Sequence, residues 1–253
     1  MFAVTIVDGA LRWAEHPDPV PGTGEVLVEV HAAGLNSADR AQIAGVYPAP
    51  PGSPPDIPGL ELAGEVVALG PGAERFAVGD RVMAVVGGGG QAEMCVVHER
   101  HLLPIPDGLD WAAGGGFPEA FTTAHDALFT QAGLAMGERL CVHGAAGGGG
   151  IAGVQLGVAA GATVVATVRN EALRDQVAAY GAQVVAPEGF GDHARSLEEK
   201  AAAARAIERH VLPLLAAGTV SVPVEATYSM ADATAAYEHF AAGGKLGKIV
   251  LVR

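Results

Sequence analysis

Clusters of basic residues are absent from this sequence. It has 28 acidic residues against 15 lysines and arginines, a formal net charge of −13, and no run of either basic residue. A protein that binds nucleic acid neutralises phosphates with clustered positive charge, and a protein held at an anionic membrane surface depends on the same attraction. We therefore expect neither nucleic acid nor a membrane among its partners.

Cysteines and long apolar segments are also scarce. The two cysteines, Cys95 and Cys141, stand far apart and give neither a disulfide framework nor a metal-binding cluster. No stretch has the length of apolar sequence that spans a bilayer, and the first residues lack the basic region and continuous apolar run of a signal peptide. Together these features predict a cytoplasmic protein.

Hydrophobic residues and glycines are plentiful. Half of the 253 residues are hydrophobic, which is enough for a sizeable core in one large domain or two modest ones. Up to about residue 110 the sequence favours a compact β-domain, with strands at residues 2–7, 10–14, 25–31, 62–69, 81–86 and 91–97. Residues 47–58 hold six prolines and therefore predict an extended surface loop. Beyond them, helices are predicted at residues 111–131, 170–180, 197–217 and 229–242, and a final strand at 249–252.

The densest glycine stretch lies between an apolar strand at residues 140–143 and a helix of small residues, with another strand at 163–167. This arrangement is half of a dinucleotide-binding unit, because backbone N–H groups at a helix start hold a pyrophosphate and glycine lets the backbone approach it. Gly148, Gly150 and Gly153 fit G-x-G-x-x-G, and a second register begins at Gly144. A plain tight turn is the alternative.

Seven collinear segments carry a resemblance to a known family: AAGLNSADRAQIAGVYP, PGLELAGEVVALGPG, VGDRVMAV, GGGGQAEMCVV, FPEAFTTAHDAL, HGAAGGGG and GKIVLVR. They resemble the zinc-free quinone oxidoreductases of the medium-chain dehydrogenase/reductase superfamily, and most closely the p53-inducible-quinone-reductase-like branch. The resemblance implies an α/β protein with a GroES-like β-rich catalytic domain, residues 1–115 and 221–253. It also implies a shortened Rossmann domain with a parallel sheet, residues 116–220, and NADPH in the cleft between the two.

The zinc-bearing relatives polarise the substrate oxygen with a Cys/His constellation. The corresponding segment here, residues 58–64, contains no histidine, and a four-cysteine lobe is missing as well. A zinc site needs thiolates or imidazoles in a tetrahedral set. We therefore expect chemistry without a metal.

Two residues are candidates for the catalytic site. The resemblance places the Asn36 side chain at the nicotinamide cleft, where it would stabilise a carbonyl oxygen that gains charge during hydride transfer. A turn-forming asparagine before a helix is the alternative. The resemblance also places Tyr47 at the substrate mouth, and the alternative is an aromatic side chain that anchors the proline-rich loop.

The cofactor contacts implied by the resemblance are Thr122 (or Thr123), Gly144, Ala145, Ala146, Gly147, Gly148, Gly149, Gly150, Arg169, Asn170, Arg174 and Lys245. The strand at 163–167 is followed by no acidic residue at positions 168–170, where NAD enzymes bind the ribose hydroxyls. Arg169 and Arg174 would bind a 2′-phosphate through charge-assisted bonds, which favours NADPH. Solvated arginines paired with Glu171 and Asp175 are the alternative.

The chain departs from the family between about His193 and Arg195, where several tens of residues are missing. By the resemblance, they include the strands that wall the nicotinamide and the strand used in dimer pairing. The strand at 140–143 would then be an apolar sheet edge, which risks aggregation unless it is covered. Three explanations stay open: a natural short form covered by a partner chain, as in a homodimer; an engineered or defective deletion; and a rearrangement in which the helix at 197–217 covers the gap.

The sequence thus predicts an NADPH-dependent oxidoreductase that transfers hydride to a quinone or an α,β-unsaturated carbonyl without a metal. A non-catalytic cofactor-binding or structural relative is the first alternative, because half of the Rossmann sheet is missing. An enoyl-thioester reductase is the second. It ranks lower because no basic patch is present for a phosphopantetheine carrier.

Overall fold

A computed structural model describes residues 1–188, 212–221, 223–229, 232, 235–236, 238–239 and 248–252. By their internal contacts the residues form two compact units, Met1–Phe190 and Gly191–Arg253. In the described ranges, no helix is both long enough and apolar enough to cross a membrane.

The first unit begins with two antiparallel sheets. A hairpin pairs β1 (Phe2–Val7) with β2 (Ala10–Glu15) through Asp8 and Gly9, both with positive φ, as the Asp-Gly pair predicts. A five-stranded sheet follows in the order β6-β3-β4-β5-β7. Its strands are β3 (Glu25–Ala32), β4 (Glu61–Leu69), β5 (Arg81–Val85), β6 (Met94–His98) and β7 (Leu102–Pro104).

Alternating burial places one face of the five-stranded sheet in the core. Val26 and Val28 on β3 are fully buried, and they pack with Leu62, Val82 and Leu102 from three other strands. The apolar alternation in the sequence predicts β3, β4, β5 and β6 to within a few residues. It does not predict β7, because a three-residue strand is too short to show a period.

The predicted helix at 111–131 is three consecutive helical segments: α2 (Trp111–Gly115), α3 (Pro118–His125) and a π-helical turn (Asp126–Gln131). The prediction of helical structure is confirmed, but the stretch is interrupted after Gly115. Pro118 begins a new helix because its fixed φ suits the first helical position, where no N–H is needed. A shorter helix, α1 (Ser37–Ile43), follows β3.

A parallel sheet in the order β10-β9-β8 completes the first unit. It contains β8 (Arg139–Val142), β9 (Thr163–Thr167) and β10 (Gln183–Val185), joined through α4 (Gly148–Ala159) and α5 (Arg174–Ala178). Val154 and Val164 lie in the core between α4 and β9. Within the described ranges β8 pairs with β9 alone, so this part of the chain contains three parallel strands.

The second unit contains α6 (Leu212–Ala216) and a parallel pair, β11 (Val224–Ser229) and β12 (Lys248–Val252). Gly218 follows α6 with φ of 70°, and the Ser229 hydroxyl donates to the Asp232 carboxylate at 2.9 Å. Most of the predicted helix at 197–217 lies outside the described residues. The assignment of residues 221–253 to the catalytic domain stays a prediction.

The two cysteines lie in different surroundings. Cys95 is buried in the sheet core, and burial raises the pKa of its thiol to about 12. Cys141 on β8 is exposed, and the part of its thiol that lies out of contact with water has the same effect, a raised pKa.

We expect one thiol of the folded protein to react readily with a disulfide reagent at pH 8, and two after unfolding in urea. The thiolate is the reactive form, and a pKa of about 12 leaves almost none of it at Cys95. A stopped-flow thiol assay measures both phases, and Cys141→Ser should remove the native one. Equal rates for the two thiols in the folded state would contradict this placement.

Candidate active site

The glycine turn connects β8 to α4. Gly144 has φ of 65°, and Gly147 caps α4 from an extended conformation. The Ala145 N–H donates to the Thr167 carbonyl oxygen at 3.1 Å, and the Gly147 N–H donates to the Gly144 carbonyl oxygen at 3.0 Å. These two bonds hold the turn against the end of β9.

The start of α4 offers backbone donors to an anion. The first bond of its helical ladder runs from the Ile151 N–H to the Gly147 carbonyl oxygen at 2.8 Å, so the N–H groups of Gly148, Gly149 and Gly150 precede the ladder. They point from the positive end of the helix dipole, which favours a phosphate there. These free N–H groups are the donors that a phosphate site needs, and the phosphate site itself stays a prediction.

Glycine is required at particular positions of this turn. A Cβ at Gly150 would lie 2.7 Å from both the Ala145 Cα and the Gly144 carbonyl oxygen. At Gly149 it would meet nothing within 4 Å, and at Gly153 its nearest contact, Val142 Cγ2, would be at an ordinary 3.8 Å. Of the two registers in the sequence, the structure thus favours the one that begins at Gly144.

A cavity of about 580 Å³ opens beside the turn. It is lined by four predicted cofactor residues, Gly144, Ala146, Arg169 and Asn170, and none of its lining residues in the described ranges is acidic. The lining residues are His143, Gly144, Ala146, Thr167, Val168, Arg169, Asn170 and Pro187. The Asn170 side chain also accepts a bond from the Ala172 N–H at 3.1 Å. Ala145, by contrast, is fully buried and contributes only its backbone.

Arg174 is placed differently from Arg169. Its Nε donates to the Val168 carbonyl oxygen at 3.1 Å, and its Nη1 lies 3.7 Å from the Glu171 carboxylate. It does not line the cavity. These intrachain contacts match the alternative weighed from the sequence, in which Arg174 pairs with Glu171; its role at a phosphate stays a prediction.

Asn36 lies at the N-terminus of α1. Its backbone N–H donates to Asp39 Oδ2 at 2.7 Å, and Asp39 Oδ1 accepts from the Gly59 N–H at 3.2 Å. The Asn36 amide Nδ2 donates to Glu61 Oε1 at 3.0 Å. Asn36 therefore precedes a helix, as in the alternative of a turn-forming asparagine, and its side-chain amide is also held in one orientation by Glu61.

Glu61 is a residue that the sequence reasoning missed. It is only 2% exposed, and its second oxygen, Oε2, accepts from the Glu119 N–H at 2.9 Å. Burial raises the pKa of this carboxyl, and the bonds from Glu119 and Asn36 offset part of the rise. A glutamate between two leucines in the apolar segment LELAGEVV was the signal that would have pointed to it.

Three further residues were predicted for the site: Tyr47, Thr122 and Lys245. Tyr47 is 39% exposed and follows the far end of α1 from Asn36. Thr122 lines a separate cavity of about 640 Å³ along α3 and the π-helical turn. Lys245 lies outside the described residues. The roles of these three residues stay predictions.

Family models match most of the chain. The alcohol dehydrogenase GroES-like domain matches residues 22–107, and the zinc-binding dehydrogenase model matches residues 122–251. Together they cover both the five-stranded sheet and the parallel sheet.

Two individual relatives are similar to this chain over 66% and 62% of its length. Quinone oxidoreductase of Rattus norvegicus is 35% identical over 168 residues, 66% of this chain and 51% of that protein. Polyketide synthase GfsB of Streptomyces halstedii is 40% identical over 157 residues, 62% of this chain and 3% of that protein. The chain thus spans about half the length of the rat quinone oxidoreductase and a small part of the synthase.

Solved structures match the fold. The enoyl reductase CurK superimposes with a TM-score of 0.69 over 100% of this chain and 99% of that one, at 20% identity. At that identity the likeness shows the fold alone.

The described residues do not fit the zinc site that the family name implies. Nowhere in those ranges do three or more histidine, cysteine or acidic side chains meet in a group that would hold a metal ion. Glu61, the carboxylate beside Asn36, already accepts two N–H donors. No step is therefore derived through a metal.

We expect opposite effects on stability from alanine at two adjacent glycines. Gly150→Ala should lower the free energy of unfolding by about 1–3 kcal/mol, because its Cβ would overlap backbone atoms. Gly149→Ala, the matched control, should raise it by about 0.5 kcal/mol, because alanine favours the helix and meets open space. Urea unfolding measures both changes, and equal losses would contradict the turn geometry.

Proposed function

We propose that this chain, which belongs to the zinc-binding dehydrogenase family of the medium-chain dehydrogenase/reductase superfamily, is an NADPH-dependent oxidoreductase that reduces a quinone or an α,β-unsaturated carbonyl compound. The single observation that carries the proposal is the glycine turn at the start of α4, with a cavity beside it that is lined by Arg169 and, among the described residues, by no acidic one.

The phosphate contacts follow from that geometry. The N–H groups of Gly148, Gly149 and Gly150 would hold the pyrophosphate at the positive end of α4. Arg169, at the end of β9, would pair with the 2′-phosphate that distinguishes NADPH from NADH. Asn170 lies in the same cavity, at the position where an acidic residue would favour NADH.

The substrate contact is assigned to Asn36. Bound NADPH would supply the hydride, and the substrate oxygen would gain negative charge as the hydride arrives. The Asn36 amide nitrogen carries two hydrogens, and one of them is donated to Glu61. The second would stabilise the developing oxyanion, and solvent would supply the proton. Tyr47 would line the substrate mouth.

Two other functions have specific support. Similarity to a polyketide synthase favours reduction of an enoyl thioester. A non-catalytic cofactor-binding relative is favoured by the extent of the match, since the aligned segment covers 51% of the rat quinone oxidoreductase. The first shares the hydride chemistry and differs in substrate. The second lacks turnover.

We expect NADPH to bind with a rise and a blue shift of nicotinamide fluorescence, and to be oxidised on addition of a simple quinone. Shielding of the nicotinamide from water causes the optical change, and hydride transfer causes the oxidation. A crotonyl thioester tested in parallel would support the enoyl reductase if it were reduced faster than the quinone. Binding without a change in fluorescence and without oxidation of NADPH by either substrate would contradict enzyme function.

The cofactor preference should depend on Arg169. We expect Arg169→Ala to weaken NADPH binding about 10- to 100-fold, the effect of losing a charged hydrogen-bond pair, and to leave NADH binding within twofold. Arg174→Ala is the matched control, because Arg174 is held by the Val168 carbonyl and should affect both cofactors alike. Calorimetric titration measures the four affinities. Equal losses of NADPH and NADH binding in Arg169→Ala would contradict a 2′-phosphate contact.

A further inference from the structure

Three separate chain segments meet at the Glu61 carboxylate. The group lies at the start of β4, accepts a bond from the Asn36 side chain before α1, and accepts another from the Glu119 N–H near the start of α3. It is 2% exposed, and a buried carboxylate is costly unless hydrogen bonds satisfy it. The two bonds compensate for that cost, so this is a built arrangement and not a surface contact.

Close packing fixes the carboxylate in place. Gly34 lies against Glu61 Oε1, where a Cβ would overlap the oxygen, and that Cβ would also lie 2.7 Å from the Gly115 carbonyl oxygen. The Gly34 N–H in turn donates to the same Gly115 carbonyl at 2.9 Å. Only glycine leaves room for the glutamate here, so the oxygen that faces Asn36 has little freedom to move.

The chemistry of the two side chains then decides which way the Asn36 amide faces. An amide has a donating end and an accepting end of nearly the same shape, and only the donating end stabilises an oxyanion. An ionised carboxylate can only accept. The Glu61 carboxylate therefore orients the Asn36 amide so that Nδ2 donates to it. The second Nδ2 hydrogen then points in a defined direction.

We propose that Glu61 is the positioning residue of this active site: its carboxylate fixes the Asn36 amide with Nδ2 as the donor toward the substrate oxygen. This inference rests on the proposed function for its catalytic consequence, but not for the orientation itself. Glu61 acts through Asn36 and does not touch the substrate.

Glu61→Gln tests the orientation with almost no change in volume. Glutamine can accept one of the two bonds with its oxygen, and its own amide then faces the other donor. With the Glu119 bond kept, Asn36 must turn its oxygen toward Gln and lose its donor position. We expect kcat with a quinone to fall at least tenfold while NADPH affinity stays within threefold. Glu65→Gln, on the same strand, is the matched control and should leave kcat within twofold.

A double-mutant cycle separates positioning from a general structural effect. If Glu61 acts only through Asn36, Glu61→Gln should change kcat less than twofold in an Asn36→Ala background. Equal losses with and without Asn36, or an unchanged kcat in the single variant, would overturn the proposal. If the glutamine variant fails to bind NADPH or to unfold cooperatively, Glu61→Asp replaces it, since the shorter side chain cannot reach both donors.

Nuclear magnetic resonance tests the orientation even if no turnover exists. The sequence holds two asparagines, Asn36 and Asn170, so protein labelled with ¹⁵N-asparagine gives two side-chain amide pairs. Asn36→Ala assigns them by loss of one pair. We expect Glu61→Gln to shift the Asn36 pair and leave the Asn170 pair in place, and Glu65→Gln to shift neither. An unmoved Asn36 pair overturns the positioning role, whereas a moved pair without NADPH oxidation overturns only the proposed function.

Discussion

The buried carboxylate of Glu61 is the constraint on which the described active site depends. A charge with 2% exposure is stable only when donors surround it, and here the donors come from segments 25 and 58 residues away in the sequence. The same group thus orients the Asn36 amide and binds the N-terminal turn of α3. In addition, Ala120 of α3 lies near Gly148 at the start of α4, so α3 connects the Glu61 group with the glycine turn.

The glycine turn imposes a second, more local constraint. The bond between the Ala145 N–H and the Thr167 carbonyl holds the turn against the end of β9. The helix start and the cavity at the strand end are therefore held in one arrangement. The close approach at Gly150 is what allows α4 to begin there, whereas the open space at Gly149 leaves room for a ligand.

Much of this fold could be predicted from local patterns. The alternating valines predicted β3. The succession of an apolar strand, a glycine-rich turn and a helix of small residues predicted the β8–α4–β9 unit. Each pattern reflects the packing of residues that are close in sequence. The short strand β7 and the strand β11 were not predicted, since tertiary contacts decide them. Local sequence also could not distinguish Arg169 from Arg174, because only the fold shows which one a backbone carbonyl occupies.

The candidate site was predicted in its parts but not in its connections. Asn36 was predicted through a resemblance, yet Glu61 was noted only as part of the segment 58–64, which lacks a zinc-binding histidine, and was given no role. The partners of Glu61, Asn36 and Glu119, are distant from it in sequence, and no periodic pattern or motif spacing predicts their contact. The domain boundaries at residues 115 and 221, and a contact from Lys245, stay predictions that the described residues do not test.

In the function proposed above, a hydride passes from NADPH, bound at the glycine turn, to an acceptor beside Asn36. The most direct measurement uses NADPH deuterated on one or the other face of nicotinamide C4, with an α,β-unsaturated ketone as acceptor. The account predicts that deuterium from one face only appears at the β-carbon of the product. No transfer, or equal transfer from both faces, would contradict a cofactor held in a defined orientation beside the substrate.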